Sequence, residues 1–399
     1  EGVRARGARG IYPSVTYPTH TTILTGALPA RHGIHYNSPF EPGGETGRWY
    51  WEEKAIRVPT LWDAVRSAGL ESANLSWPVS VGAPVDWNLP EIWSLDPERT
   101  AIDALREASS PDGLWEEIER EATGRLTPDN FDIDWITRDD RAGDIAAHLL
   151  TTRRPALLTV HLLGVDHFQH DDGRDSRRVR RALSTADSAI SQIVEAAERV
   201  GMLDRTTFVV TGDHGFVDIE HRLAPNVWLV EAGLRGAAAD RGDWKAPFPV
   251  PAASAFLHLA GPDDVDTLRR VRELLEGLPA ETTDLFEVLD REDLDELGAA
   301  PEAALGLALA PGVDATSSPE PPAVRPRGGA NHGFPPDRPA MKTGFIAWGA
   351  GIAGPAELPE IGLEDIAPLV AALLELDFEA PDGALPPVPL QRPAGTWRP

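Results

Sequence analysis

No cysteine occurs among the 399 residues. Disulfides and thiolate metal sites are therefore excluded, and any metal must be held by Asp, Glu, His or hydroxyl oxygen. Positive charge is also short: 37 Lys and Arg stand against 63 Asp and Glu, a formal net charge of -26. Proteins that grip nucleic-acid backbones cluster Lys and Arg against the phosphates, so binding to a nucleic-acid polymer is not expected. An anionic substrate would need local positive charge, for which metal ions are the obvious source in a negative field. Only three of the basic residues are Lys (Lys54, Lys245, Lys342), an Arg bias that carries no functional weight. No apolar run approaches the length of about 20 residues that crosses a bilayer. The chain opens on EGVRARGARG, with no initiator Met and no obvious strand signal before YPSVT, and is expected to begin in mid-domain.

With 42% hydrophobic residues and a mean hydropathy of -0.25, the composition is that of a globular protein with a sizeable core. Segments alternate in the βα manner. TLWDAVRSAG (60–69) reads as a helix capped by Thr60 and is followed by a short strand, ESANLSW. A helix over 139–152 leads into the apolar run PALLTVHLL, and a long helix over 177–200 leads into TTFVVTG; TGFIAWG and EDIAPLVAALLEL repeat the pattern near the end. The rhythm predicts an α/β fold, a doubly wound and mostly parallel sheet with helices on both faces. Two intervals break it, about 78–138 and 222–328, and are expected to form a cap on a single catalytic domain spanning 1–399.

Open α/β sheets bind ligands at the C-terminal ends of their strands, and three polar clusters fall there. GVDHFQH supplies Asp166 and His170, four apart and able to face one point if the loop turns helical. GDHGF supplies Asp213 and His214, and GGANHGFPPD supplies His332. Together they offer two carboxylates and three imidazoles, a set suited to two zinc-like ions. Two adjacent metals can stabilise both the attacking and leaving oxygens of a phosphoryl transfer. Thr16, where an extended stretch gives way to the helix-like run HTTILTG, lies near several amide groups expected to be free and could attack phosphorus if ionised by coordination. An ordinary helix cap is the plainer role for such a residue.

These pieces, YPSVTYPTHTTILTGALPARHGI, VHLLGVDHFQH, VVTGDHGF and ANHGFPPD, resemble in content and order the type I phosphodiesterase/nucleotide pyrophosphatase branch of the alkaline phosphatase superfamily. The resemblance implies an alkaline phosphatase-like fold and two divalent metal ions, most simply zinc. Thr16 would be the nucleophile and a ligand of one metal with Asp213 and His214; Asp166, His170 and His332 would hold the other. It implies hydrolysis of phosphate diesters through a phospho-threonine intermediate, a small-molecule phosphate ester as substrate and an extracytoplasmic setting. Members commonly carry Asn three residues after the nucleophile to hold a phosphoryl oxygen; here Thr19 stands there and would bind substrate through its hydroxyl. They also carry an earlier strand ending in a metal-binding Asp, which has no counterpart here. The catalytic domain is therefore expected to be N-terminally truncated, with an unpaired strand edge in mid-sheet. The alternatives are a phosphomonoesterase or phosphonate hydrolase on the same metal core, or a non-catalytic metal-binding remnant. A sulfatase is disfavoured by the lack of Cys.

The remaining polar groups have plainer readings. His20, His32 and His161 are expected to serve structure and His167 to lie exposed. RDSRRVRR (174–181) reads as the solvated start of a helix, and the acidic stretch from Glu281 to Glu296 as a solvated helical face. Trp49, Tyr50 and Trp51 could stack on a flat leaving group or pack a cap against the core.

Overall fold

In the computed structural model, residues 2–131, 134–238 and 242–391 are described. The first half includes β1 (Val3–Ala5), α1 (Thr16–Thr25), β2 (Ser72–Leu75), β3 (Trp87–Leu89), α2 (Trp135–Arg153), β4 (Leu157–Val160), α3 (Gly164–Asp172), α4 (Arg177–Arg199) and β5 (Thr207–Thr211). Helix starts follow short polar side chains. Thr60 and Asp63 form a reciprocal capping box before the helix Leu61–Ser67, while Asp134 and Ser176 accept amide bonds at the starts of α2 and α4. The arginine-rich run is indeed the solvated first turn of α4, with Arg178 paired to Asp172.

β2 lies between β3 and β4 in a parallel trio, Ala73 standing opposite Trp87 and Leu158. A second group is built on β12 (Phe345–Gly349), which runs antiparallel to both β1 and β5; β13 (Ala356–Leu358) pairs parallel to β1. One group is thus parallel and the other mixed, because an apolar run such as FIAW does not report strand direction. Among the described residues β4 and β5 each have a strand neighbour on one side only, β2 and β12 respectively. These are the two strands that deliver the Asp166 and Asp213 segments.

Alternation along the strands places helices on both faces. Leu157 packs with Leu24 of α1 and with Ala367 and Ala371 of α5 (Ile366–Leu373), whereas Leu158 turns to Leu150 of α2 and Ala197 of α4. The interval 78–138 contributes Trp115, Ile118 and Phe131, which pack with Ala73, Leu75 and Ile145.

The interval 222–328 has a core of its own. β6 (His221–Leu223) enters it, followed by an antiparallel sheet in which β9 (Leu305–Leu309) lies between β7 (Ser254–Leu257) and β8 (Phe286–Leu289). Two further strands, β10 (Val313–Ala315) and β11 (Val324–Pro326), flank β6. Trp228, Phe248, Leu257, Leu305 and Leu307 fill the centre. The acidic stretch from Glu281 is not one helical face: FEVL forms β8 between the short helices Ala280–Thr283 and Arg291–Glu296. Among the described residues no helix is long and apolar enough to cross a membrane.

Candidate active site

At Val15 the backbone is extended (φ -130, ψ 157), and α1 starts at Thr16 without a side-chain cap. The amides of its first turn are mostly taken. Tyr17 N–H donates to Asn37 Oδ1 at 2.9 Å, Thr19 N–H donates to Val15 O at 3.1 Å, and Pro18 has no N–H. Thr16 N–H alone has no hydrogen-bond partner among the described residues. Several free amides were expected here; a proline and an asparagine reduce them to one, beside the Thr16 hydroxyl. That hydroxyl is no cap. Oγ1 lies 3.4 Å from His214 Nε2.

GVDHFQH does turn helical, as α3, so Asp166 and His170 share a face with 3.6 Å between His170 Nε2 and Asp166 Oδ2. The start of α3 is held from α2: Asp139 accepts the N–H groups of Leu163 and Gly164, both at 2.8 Å. His332 arrives from the far end of the chain. Its Nε2 is 3.2 Å from His170 Nε2 and 3.8 Å from Asp166 Oδ1. One donor atom from each of Asp166, His170 and His332 fits within 4.8 Å of the other two. His332 Nδ1 donates to Ser14 O at 3.0 Å, which leaves a lone pair on Nε2. Ser14, fully buried, is fixed by hydroxyl bonds to Ile11 O and Phe334 O. Gly333, at φ +89, allows the chain to turn after His332 where a Cβ would meet Pro251 O at 2.8 Å.

Asp213 and His214 stand alongside. His214 Nε2 is 3.2 Å from Asp213 Oδ2 and 3.9 Å from Asp166 Oδ1. Its ring stacks on that of His332, with centroids 3.7 Å apart and planes at 15°. Burial, reinforced by His214 and His170, holds His332 well below the ordinary imidazole range. Burial raises the Asp166 carboxyl, only partly countered by His170 and His214. For Asp213 burial also acts upward, yet His214, His20 and His161 together outweigh it and leave the group below its usual range.

The residues present fit a divalent cation. Asp166 Oδ1 is buried without a hydrogen-bond partner, which is costly for a polar atom unless another group satisfies it. Imidazole lone pairs and carboxylate oxygens are the donors zinc takes in the absence of thiolate.

All six residues expected to hold metal thus converge. Thr19 does not join them: it is fully buried, and its hydroxyl donates to Val15 O at 2.8 Å. Asn37, not among the residues expected from the sequence, also stands at the start of α1. Its Oδ1 is committed to Tyr17 N, while its Nδ2 has no partner among the described residues. In the sequence Asn37 is only the amide that ends HYN, directly after ARHGI.

His161 is 3.3 Å from Glu91 and 3.2 Å from Ser76 O. Burial acts to lower it, but Glu91 prevails and its basicity is raised. His20 packs on Trp77 and His161, bonds Thr16 O at 2.9 Å, and is pushed down to about 3 by burial. His32 bonds Thr22 and Ile34 N, and the half-exposed His167 packs on Trp135. Trp49 and Trp51 meet Trp93, and Trp49 sets its edge on the buried Tyr17 at 5.1 Å, so that the group packs as an aromatic cluster.

Residues 1–335 match the model of the type I phosphodiesterase / nucleotide pyrophosphatase family. The chain belongs to that family. Among curated relatives, an uncharacterized pyrophosphatase/phosphodiesterase of Schizosaccharomyces pombe is 26% identical over 239 residues, 58% of this chain and 42% of the relative. Ectonucleotide pyrophosphatase/phosphodiesterase family member 3 of Mus musculus is 25% identical over 224 residues, 54% of this chain and 21% of the relative. This family member therefore spans less than half the length of either. In fold it is similar to human ectonucleotide pyrophosphatase/phosphodiesterase 5, with a TM-score of 0.65, 16% identity, and coverage of 96% of this chain and 89% of that one. The alkaline phosphatase-like fold is thereby established.

Proposed function

We propose that this protein is a metal-dependent phosphodiesterase or nucleotide pyrophosphatase with Thr16 as nucleophile. The observation that carries the reading is the placement of Thr16 Oγ1, 3.4 Å from His214 Nε2, at a helix start beside the Asp166, His170 and His332 cluster. Asp166, His170 and His332 would hold one ion, and Thr16, Asp213 and His214 a second. Such ions, when bound, lower the basicity of a coordinated hydroxyl and neutralise phosphoryl charge. Thr16 Oγ forms a bond to phosphorus as the bond to the leaving alcohol or phosphate breaks. The Thr16 N–H and the Asn37 amide donate to a non-bridging oxygen, a role suited to fixed donors whose geometry precedes the reaction. Water then cleaves the phospho-threonine and restores the hydroxyl.

A diester is favoured over a monoester by what flanks Thr16. Among the described residues, the groups that most strongly shift Asp166, Asp213 and His332 are histidines and an aspartate rather than Lys or Arg, which suits the lower charge of a diester. The partly buried Trp49 and Trp93, packed on Tyr17, offer instead an apolar surface for a second substituent. The substrate would be a small molecule, and the similarity to ectonucleotide pyrophosphatase/phosphodiesterases supports an extracytoplasmic setting. The test is zinc-supplemented hydrolysis of a bis(nitrophenyl) phosphate beside the mononitrophenyl ester. Faster diester cleavage is expected; faster monoester cleavage would favour a phosphomonoesterase, and zinc binding without turnover a non-catalytic protein.

A further inference from the structure

His332 is gripped from the inserted lobe on both sides. Its carbonyl accepts the N–H of Ala253, just before β7, at 2.9 Å. Its own N–H donates to Asn331 Oδ1, also at 2.9 Å. The other end of the Asn331 amide reaches the lobe, Nδ2 donating to Asp314 Oδ2 on β10 at 3.0 Å. Asp314 is buried, and it receives Arg222 Nε of β6 at 2.8 Å and Arg327 Nε at 3.2 Å. Asp314 accepts from both guanidinium groups, and the His332 N–H needs an acceptor, so the Asn331 amide has one workable orientation: Nδ2 toward Asp314 and Oδ1 toward His332 N–H.

We propose that the 222–328 lobe sets the geometry of the metal centre, with Asp314 and Asn331 acting as positioning residues for His332. This rests on the reading of Asp166, His170 and His332 as metal ligands. It gives the lobe a part beyond covering a site: the arginine-held carboxylate orients Asn331, and Asn331 fixes the backbone from which the imidazole projects. Groups that orient metal ligands typically affect affinity 10–100-fold.

Removing Asp314 would strand two arginines and risk misfolding, so the test uses Asn331→Ala, His332→Ala and the double variant. Zinc affinity is measured by competition with a chromophoric chelator. Asn331→Ala should weaken zinc about 10–100-fold, and should add nothing in the His332→Ala background. Equal weakening in both backgrounds would mark Asn331 as a general staple and overturn the proposal, as would unchanged affinity. Unchanged zinc binding in His332→Ala itself would instead sink the metal reading beneath it. A second measurement needs no substitution: in the zinc-free protein the His332 amide should exchange with solvent as slowly as those of β9. Fast exchange would show that the ligand is not held in advance of the metal.

Discussion

His332 Nε2 stands 3.2 Å from His170 Nε2, although the two residues are 162 positions apart. With the Nδ1 proton of His332 given to Ser14 O, a lone pair faces the second imidazole, and Asp166 closes the third side. Zinc added to the metal-free protein should raise its melting temperature, with a stabilisation of roughly 2.7 kcal/mol at a hundredfold excess over Kd. His170→Ala should remove most of that shift. An equal shift in the variant would place the zinc elsewhere.

Thr16→Ala should lower turnover on the order of a thousandfold or more, as loss of a nucleophile does, while zinc remains at Asp166, His170 and His332. Near-normal turnover would assign the attack to another group.

Asn37→Ala removes both a fixed amide donor and the acceptor for Tyr17 N–H. Loss of one such donor typically costs about 100- to 1000-fold in kcat. Thr19→Val provides the contrast. The Thr19 hydroxyl is spent on Val15 O, so this variant should cost about 1 kcal/mol of stability and leave kcat within a few-fold. If Thr19→Val proves as damaging to kcat as Asn37→Ala, the assignment of the phosphoryl donor reverses.

That contrast also marks where the sequence stops being informative. The Asp166 and His170 pair was legible because a spacing of four becomes adjacency on a helix. The strand ends at Asp213 and Asp166 were legible because apolar runs such as FVV and ALLTV precede them. Asn37 was not, since its value depends on which of its amide atoms Tyr17 N–H consumes. Equally hidden was β8, where Glu287 breaks an apolar strand inside an acidic stretch. The tie from Asp314 to His332 joins segments whose contact only the folded lobe creates.

His258 is buried beside Tyr36, whose hydroxyl is 3.0 Å from Nε2, and burial lowers it from the ordinary imidazole value to about 4. Between pH 6.5 and 4 the unfolded chain binds a proton there that the native protein refuses. The contribution of the neutral ring is therefore complete above pH 6.5 and lost as pH falls toward 4, a span worth roughly 3 kcal/mol. Denaturant unfolding of the wild type and His258→Gln from pH 7.5 to 4 should show a shallower acid decline in the variant. Parallel declines would mean that His258 takes up its proton in the folded state.

Asp166 and His170 both sit on α3. α3 has no cap of its own; Asp139, fully buried on α2, supplies one by accepting the Leu163 and Gly164 amides. A carboxylate suits this place because it meets both the free N–H groups and the positive end of the helix dipole. Its closeness also dictates Gly164, where a Cβ would come within 2.7 Å of Asp139 Oδ2. Asp139→Ala leaves two amides unpaired, at about 1–3 kcal/mol for each that stays buried, while Asp139→Asn keeps an acceptor and should cost less. Gly164→Ala should be destabilising in the wild-type background and less so in the Asp139→Ala background, because the clashing oxygen is gone; the contact with Trp135 O at 3.2 Å remains. Urea unfolding of the four members of this cycle measures the coupling, and zinc affinity should fall with it as Asp166 and His170 lose their common anchor. Strict additivity between the two positions would show that Asp139 and Gly164 act independently, and that α3 is held by something other than this cap.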